Sequence, residues 1–175
     1  MANKKISSVS LDAQNQRVGV FVDAQNIYHS AKNLYHSKVD FRKVLEENVG
    51  NRRLIRAFNY VIRTEAGDEK AFIEALEKAG FEIKVKDLQV FAGGAKKADW
   101  DVGIAVDAIG LADKIDVAIL VTGDGDFVPL VNYLQTAKGL KVEASSFGRS
   151  TSSKLKEAVD VFRDLDENAR KFLLK

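Results

Sequence analysis

Two apolar runs that each end on aspartate constrain this chain more than any other feature. Arg17 to Val22 reads RVGVFV and is followed by Asp23, while Asp116 to Thr122 reads DVAILVT and leads into Gly123-Asp124-Gly125-Asp126. A short apolar run without polar alternation is the pattern of a strand covered on both faces, and such strands belong to parallel sheets wrapped by helices. The intervening segments fit that frame. Leu54 to Ile62, Phe81 to Val85 and Leu140 to Ser145 read as three further strands, and Gln25 to Tyr35, Phe41 to Glu47, Asp68 to Ala79, Asp99 to Asp113 and Phe127 to Lys138 carry helical composition and spacing. Ser37 and Asp40 are capping candidates for the second helix, Asp99 for the fourth, and Pro129 fits the first turn of the fifth, where a missing N–H costs nothing. Gly80 and Gly139 close two helices. Gln89 to Lys96 reads as a loop or short extension around Gly93 and Gly94, and Phe147 to Ser153 as a polar turn before a helical C-terminal part. The alternation predicts an α/β domain: a mostly parallel five-stranded sheet with helices on both faces.

A chain of 175 residues that is 46% hydrophobic can bury one substantial core. One domain is expected over residues 17–165, preceded by a polar, flexible arm over 1–16 and followed by a helical tail over 166–175. The absence of cysteine excludes disulfides, thiolate-ligated zinc, iron–sulfur clusters and a thiolate nucleophile. The 27 basic residues against 25 acidic ones imply no polyanionic partner on their own. No stretch approaches the roughly 18 uninterrupted apolar residues of a membrane span, so a soluble, cytoplasmic protein without a membrane partner is expected. Oligomeric state is left open, with a homodimer as one option.

In an open parallel sheet, ligands collect beyond the carboxyl ends of the strands, above all where strand order reverses. Asp23 stands at the end of the first strand, and Asp124 and Asp126 at the end of the fourth. Asp101 can join them from the first turn of a helix that then buries Ile104, Ala105, Ala108 and Leu111. Convergent carboxylates repel one another and raise their own pKa values, a penalty that a divalent cation removes. Hard oxygen ligands without His or Cys select Mg2+ or Mn2+ over zinc, and these cations suit phosphodiester cleavage. Asn26 and Thr122 are placed to hold a water or a substrate phosphate. Arg63, Lys96, Lys97, Arg149 and Lys154 could line a phosphate path, and Tyr28, Tyr35 and Trp100 offer faces for unpaired bases.

Each residue also has a plainer role. Asp23 and Asp124 could be turn residues, Asp126 an N-cap, and Asp101 a complement to the helix dipole. Asp107 could support the metal ligands from behind but reads better as a solvated or salt-bridged helix residue, His29 and His36 read as surface residues, Lys96, Lys97 and Arg149 as solvated loop charges, and Trp100 as a core plug. The coincidence of four carboxylates at one predicted edge favours the metal site.

The segments V-F-V-D-A-Q-N-I (20–27), K-A-D-W-D-V-G-I-A-V-D-A (97–108) and V-T-G-D-G-D-F-V-P-L (121–130) resemble, in order and spacing, the three signatures of the NYN domain family. The similarity is closest to its LabA-like branch and extends from about Arg17 to Leu165. It implies a PIN-like Rossmannoid fold with sheet order 3-2-1-4-5, metal-ligand positions at Asp23, Asp101, Asp124 and Asp126, and the family asparagine at Asn26. It further implies a ribonuclease that uses Mg2+ or Mn2+ and has nucleic acid, in particular RNA, as its partner; the choice of RNA rests on the resemblance alone. The family lysine three residues before the second aspartate is here Ala98, with Lys96 and Lys97 just before it. Two other functions remain open: a non-catalytic nucleic-acid-binding or regulatory module, and a phosphotransfer site of the HAD or Toprim kind. Gln25 stands where HAD enzymes need a second acid, and Asp23 where Toprim proteins carry Glu.

Overall fold

The first apolar run forms strand β1 (Arg17–Asp23), paired in parallel on both sides in the computed structural model, which describes residues 13–64 and 69–174. The chain continues through α1 (Ala24–Tyr35), α2 (Phe41–Val49), β2 (Arg53–Arg63), α3 (Lys70–Lys78), β3 (Glu82–Asp87), β4 (Gln89–Val90) and β5 (Lys96–Lys97). Then come α4 (Asp101–Leu111), β6 (Val117–Val121), α5 (Val128–Thr136), β7 (Lys141–Ser146), α6 (Ser153–Ala158), β8 (Val161–Asp164) and α7 (Ala169–Phe172). The main sheet has the order β3-β2-β1-β6-β7-β8, with every pairing parallel. Most of the expected arm over 1–16, and the expected helix start at Asp68, lie outside the described residues.

The sheet has six strands where five were expected. The added strand, β8, lies on the edge beside β7, and its residues are exposed or half-buried. An edge strand of four residues with no buried apolar run leaves no strand signature in the sequence. The stretch around Gly93 and Gly94 is a small hairpin: β4 pairs antiparallel with β5, and both glycines adopt positive φ, a backbone that favours glycine.

Alternation along β1 divides the core between two faces. Val18, Val20 and Val22 pack with Ile27 and Ala31 of α1, Val44 of α2 and Leu76 of α3. Phe21, with Phe58 and Tyr60 of β2, packs against Ile104, Ala108 and Leu111 of α4 and Leu134 of α5. Gly19 is needed for this contact, because a Cβ there would lie 2.9 Å from Leu111 Cδ2. Asp40 caps α2, its Oδ1 accepting from Lys43 N. No helix among the described residues is long and apolar enough to cross a membrane.

One charged group is buried inside this frame. Glu143 of β7 is 4% exposed and accepts from both terminal nitrogens of Arg52, at 2.9 and 3.0 Å, with Lys141 Nζ at 3.2 Å. Burial pushes its carboxyl up, but Arg52 and then Lys141 outweigh that and hold it below the usual range. Removing one partner of a buried pair strands the other in a medium that solvates it poorly. Arg52→Ala should therefore destabilise the fold by about 3 kcal/mol, measured by urea unfolding.

Candidate metal centre

β1 and β6 are adjacent and parallel, so their carboxyl ends open at the same edge of the sheet. At the end of β1, Asp23 Oδ1 accepts from Asn26 N at 3.2 Å and so caps α1. Past β6, the buried Thr122 Oγ1 accepts from Asp124 N at 3.2 Å, and Asp124 Oδ1 accepts from Asp126 N at 2.9 Å. Asn26 joins the two ends: its Oδ1 accepts from Gly123 N at 2.9 Å. The turn-and-cap roles open to these residues are thus real, and they hold the aspartates in place.

The G-D-G-D turn has no spare room. A Cβ on Gly123 would lie 3.0 to 3.1 Å from Ser146 Oγ, Ser150 O and Thr151 Oγ1, and one on Gly125 2.5 Å from Ser152 Oγ. Ser152 N also donates to Gly123 O at 2.9 Å. Gly123→Ala is expected to cost about 1–3 kcal/mol of stability through overpacking. Calorimetric titration with Mn2+ should show weaker binding for the same variant, because the carboxylates on either side move with the turn.

Asp101 comes to the edge on α4, and Trp100 fixes the start of that helix. The Trp100 indole Nε1 donates to Val61 O at 3.0 Å, and its ring lies tilted on Tyr60 with centroids 5.4 Å apart. Gly103 lets the helix close over the indole, since a Cβ there would fall 2.5 Å from Trp100 Cε3. Asp99 Oδ1 accepts from Asp101 N at 3.4 Å, and Lys86 Nζ donates to Asp99 O at 2.8 Å from a position 4.4 Å over the Trp100 ring.

The outcome is that Asp101, Asp124 and Asp126 each present a carboxylate oxygen within 4.8 Å of the others. Asp23 is not part of this tight trio, yet it feels it. Burial, together with the charges of Asp101, Asp124 and Asp99, pushes its carboxyl up to about 6 against the lowering effect of the Asn26 N–H. Asp101 is raised as well, by burial and by Asp124, Asp99 and Asp126, with Lys86 opposing. Among the described residues no ion pair involves any of the four aspartates. Carboxylates gathered without an ion-pair partner, Asp23, Asp101 and Asp124 half-buried and Asp126 exposed, make an oxygen-only donor set, which fits a hard divalent cation such as Mg2+ or Mn2+.

The other candidates fall elsewhere. Lys97 is exposed on β5 of the hairpin. Arg149 follows β7, where its Nε lies 3.5 Å from Asp166 and its guanidinium 4.9 Å over the Tyr35 ring. Arg63 pairs with Asp87. Asp107 accepts from Tyr60 O–H at 2.8 Å and pairs with Lys84, inside the sheet–helix contact. Lys86, Ser146, Thr151 and Ser152 were not among the sequence candidates, although they frame the trio. Lys86 could have been found only from the register of β3, and the three hydroxyl residues only from the packing of the turn after β7.

The model of the NYN domain family matches residues 17–166 of this chain. The protein LabA (low amplitude and bright) of Synechococcus elongatus is 27% identical over 167 residues, covering 91% of this chain and 88% of that protein. The crystal structure of VPA0982 from Vibrio parahaemolyticus, a protein of unknown function, superposes with a TM-score of 0.83 at 33% identity, covering 92% of this chain and 98% of that one.

Proposed function

This chain belongs to the NYN domain family, and from that membership and its carboxylate cluster we propose that it is a metal-dependent nuclease hydrolysing RNA phosphodiester bonds. The observation that carries the proposal is the approach of Asp101, Asp124 and Asp126 to within 4.8 Å at the carboxyl edge of a parallel sheet, with Asp23 behind them.

In this reading Asp101, Asp124, Asp126 and Asp23 hold Mg2+ or Mn2+. When bound, the cation supplies an activated water and neutralises charge on the phosphoryl oxygens. The chain supplies placement. The Asn26–Gly123 hydrogen bond fixes the spacing of the two strand ends, so that Asp23 and Asp124 keep their separation as substrate enters. Burial and the neighbouring carboxylates raise Asp23 to about 6 when no cation is present, a penalty that a bound cation would remove. Thr122, 2% exposed, spends its oxygen on Asp124 N and so serves the site by holding Asp124 in place. Lys97, exposed on β5, contributes positive charge toward the phosphate backbone, whereas Arg149 is engaged by Asp166 and Tyr35. A cytoplasmic location goes with this reading.

The test is cleavage of labelled single-stranded RNA, hairpin RNA and single-stranded DNA in Mg2+, in Mn2+ and in EDTA. Cutting of RNA with either cation and none in EDTA is the expected result. A folded protein that binds RNA yet cuts nothing in either cation would overturn it in favour of a non-catalytic binding module.

A further inference from the structure

A cavity of about 420 Å³ lies on the α1 side of the sheet, beside the carboxylates. Its walls follow directly from the two central strands: Gln25 and Tyr28 come from α1 just after Asp23, and Val61 and Thr64 from the end of β2, whose Tyr60 pairs with Asp23. Phe41 of α2 and Phe72 of α3 close the far side, with ring centroids 5.9 Å apart and nearly edge to face. The volume falls in the range of roughly 300 to 1000 Å³ typical of small-molecule sites, and the lining has their character, apolar and aromatic walls with a few polar groups. Tyr28 and Phe72 are 37% and 36% exposed, so two large rings stand uncovered at the mouth.

Resting on the nuclease reading above, we propose that this cavity receives an unstacked nucleobase of a single-stranded nucleic acid whose phosphate lies at the aspartates. Neighbouring strands are about 4.8 Å apart, so the end of β2 lies on the order of 10 Å from the end of β6. A nucleic-acid strand laid across the carboxyl edge passes from one site to the other over the end of β1, where Asp23 is followed directly by the pocket-lining Ala24 and Gln25. Phe41, Phe72 and Tyr28 offer ring faces and edges to a flat heteroaromatic group, and the Gln25 amide can pair with its polar edge, while the Thr64 hydroxyl donates to Glu69 at 2.7 Å and has only its oxygen left to accept. Lys38 at the rim carries the charge that the attached phosphate needs. A base inside a duplex cannot enter, because its edge is taken by its partner and its faces by the stack.

The measurement is fluorescence anisotropy in Ca2+ and in EDTA, with a labelled 12-nucleotide single-stranded RNA, its blunt duplex, and a series carrying one abasic nucleotide at successive positions. The single strand should bind more tightly than the duplex, and one abasic position should weaken binding by about tenfold, the scale of one base–aromatic stack. Phe72→Ala and Tyr28→Ala replace partly exposed side chains. Each should weaken the intact strand by a similar factor and erase the penalty at that one position, which general loosening of the fold would not do. Equal binding of duplex and single strand, or an abasic penalty that survives in both variants, overturns the proposal. A protein that cuts RNA but shows no abasic effect refutes the pocket and leaves the nuclease intact, whereas one that neither binds nor cuts RNA refutes both.

Discussion

Asp101→Asn and Asp124→Asn are each expected to lower single-turnover RNA cleavage in Mg2+ by about a thousandfold, while the metal-free protein melts at the same temperature or higher. Each substitution keeps the shape of the side chain and removes a negative charge from the proposed ligand set. Losing one preorganised electrostatic group at a reacting centre costs on the order of a hundred- to a thousandfold, and losing a ligand charge belongs at the upper end of that range. The stability side runs the other way. Asp101 is raised by burial and by Asp124, Asp99 and Asp126, so without a cation its charge is a burden on the fold. The local hydrogen bond is also kept, because the Oδ1 of an asparagine at position 124 can still accept from Asp126 N. Cleavage rates in Mg2+ and melting curves in EDTA check the two halves separately. Activity within tenfold of the native protein would remove the trio from catalysis, and unfolding of both variants would make its role structural.

Without divalent cation, the contribution of Asp23 to stability is expected to fall as pH rises from about 4 to about 7, opposite to that of paired carboxylates such as Glu143. The folded value of Asp23, about 6, stands above its ordinary 3.8, so the folded state holds the proton more tightly than the unfolded chain does. Below about pH 4 both states are protonated and the group contributes nothing. Through the window from 4 to 6 the unfolded chain releases its proton first, and above 6 the folded state carries the whole penalty, about 3 kcal/mol for a shift of this size. Asp101, raised in the same direction, adds to the slope. Urea midpoints in EDTA between pH 4 and 8, compared between the native protein and Asp23→Asn, should show the decline. At pH 7.5, a cation held at a hundred times its dissociation constant should restore about 2.7 kcal/mol by mass action. A difference between the native and Asp23→Asn midpoints in EDTA that stays constant across the window would show that Asp23 does not feel burial and the neighbouring carboxylates.

Much of the architecture can be read in the chain because its signals are local. RVGVFV and DVAILVT read as buried strands because they are short, rich in β-branched residues and bounded by polar or turn residues, which separates them from buried helix. Asp40 caps α2 and Pro129 sits in the first turn of α5 because capping chemistry acts over a few residues. The signatures around Asp23, Asp101 and Asp124 led to the NYN family, and the order β3-β2-β1-β6-β7 contains the expected five strands. The placement of Asp23, Asp124 and Asp126 near strand ends is equally local, because Asp23 closes one apolar run and the Gly123–Asp126 turn follows the other.

What no local signal carries is how distant segments dock. Asp101 reaches Asp124 only because Trp100 lodges on Tyr60 and bonds to Val61 O, a contact between α4 and β2 that periodicity does not encode. Asn26 and Gly123 find each other only because β1 and β6 are neighbours. Arg149 looked free for a phosphate, but Asp166 and Tyr35 come to it from elsewhere in the chain, and β8 exists only because β7 offers it an open edge. The sequence by itself determined the elements, the family and the end of each strand on which an acid would stand. The tertiary structure decided which acids meet, how far apart they lie and what burial does to their charge, because those quantities depend on packing between segments far apart in the chain.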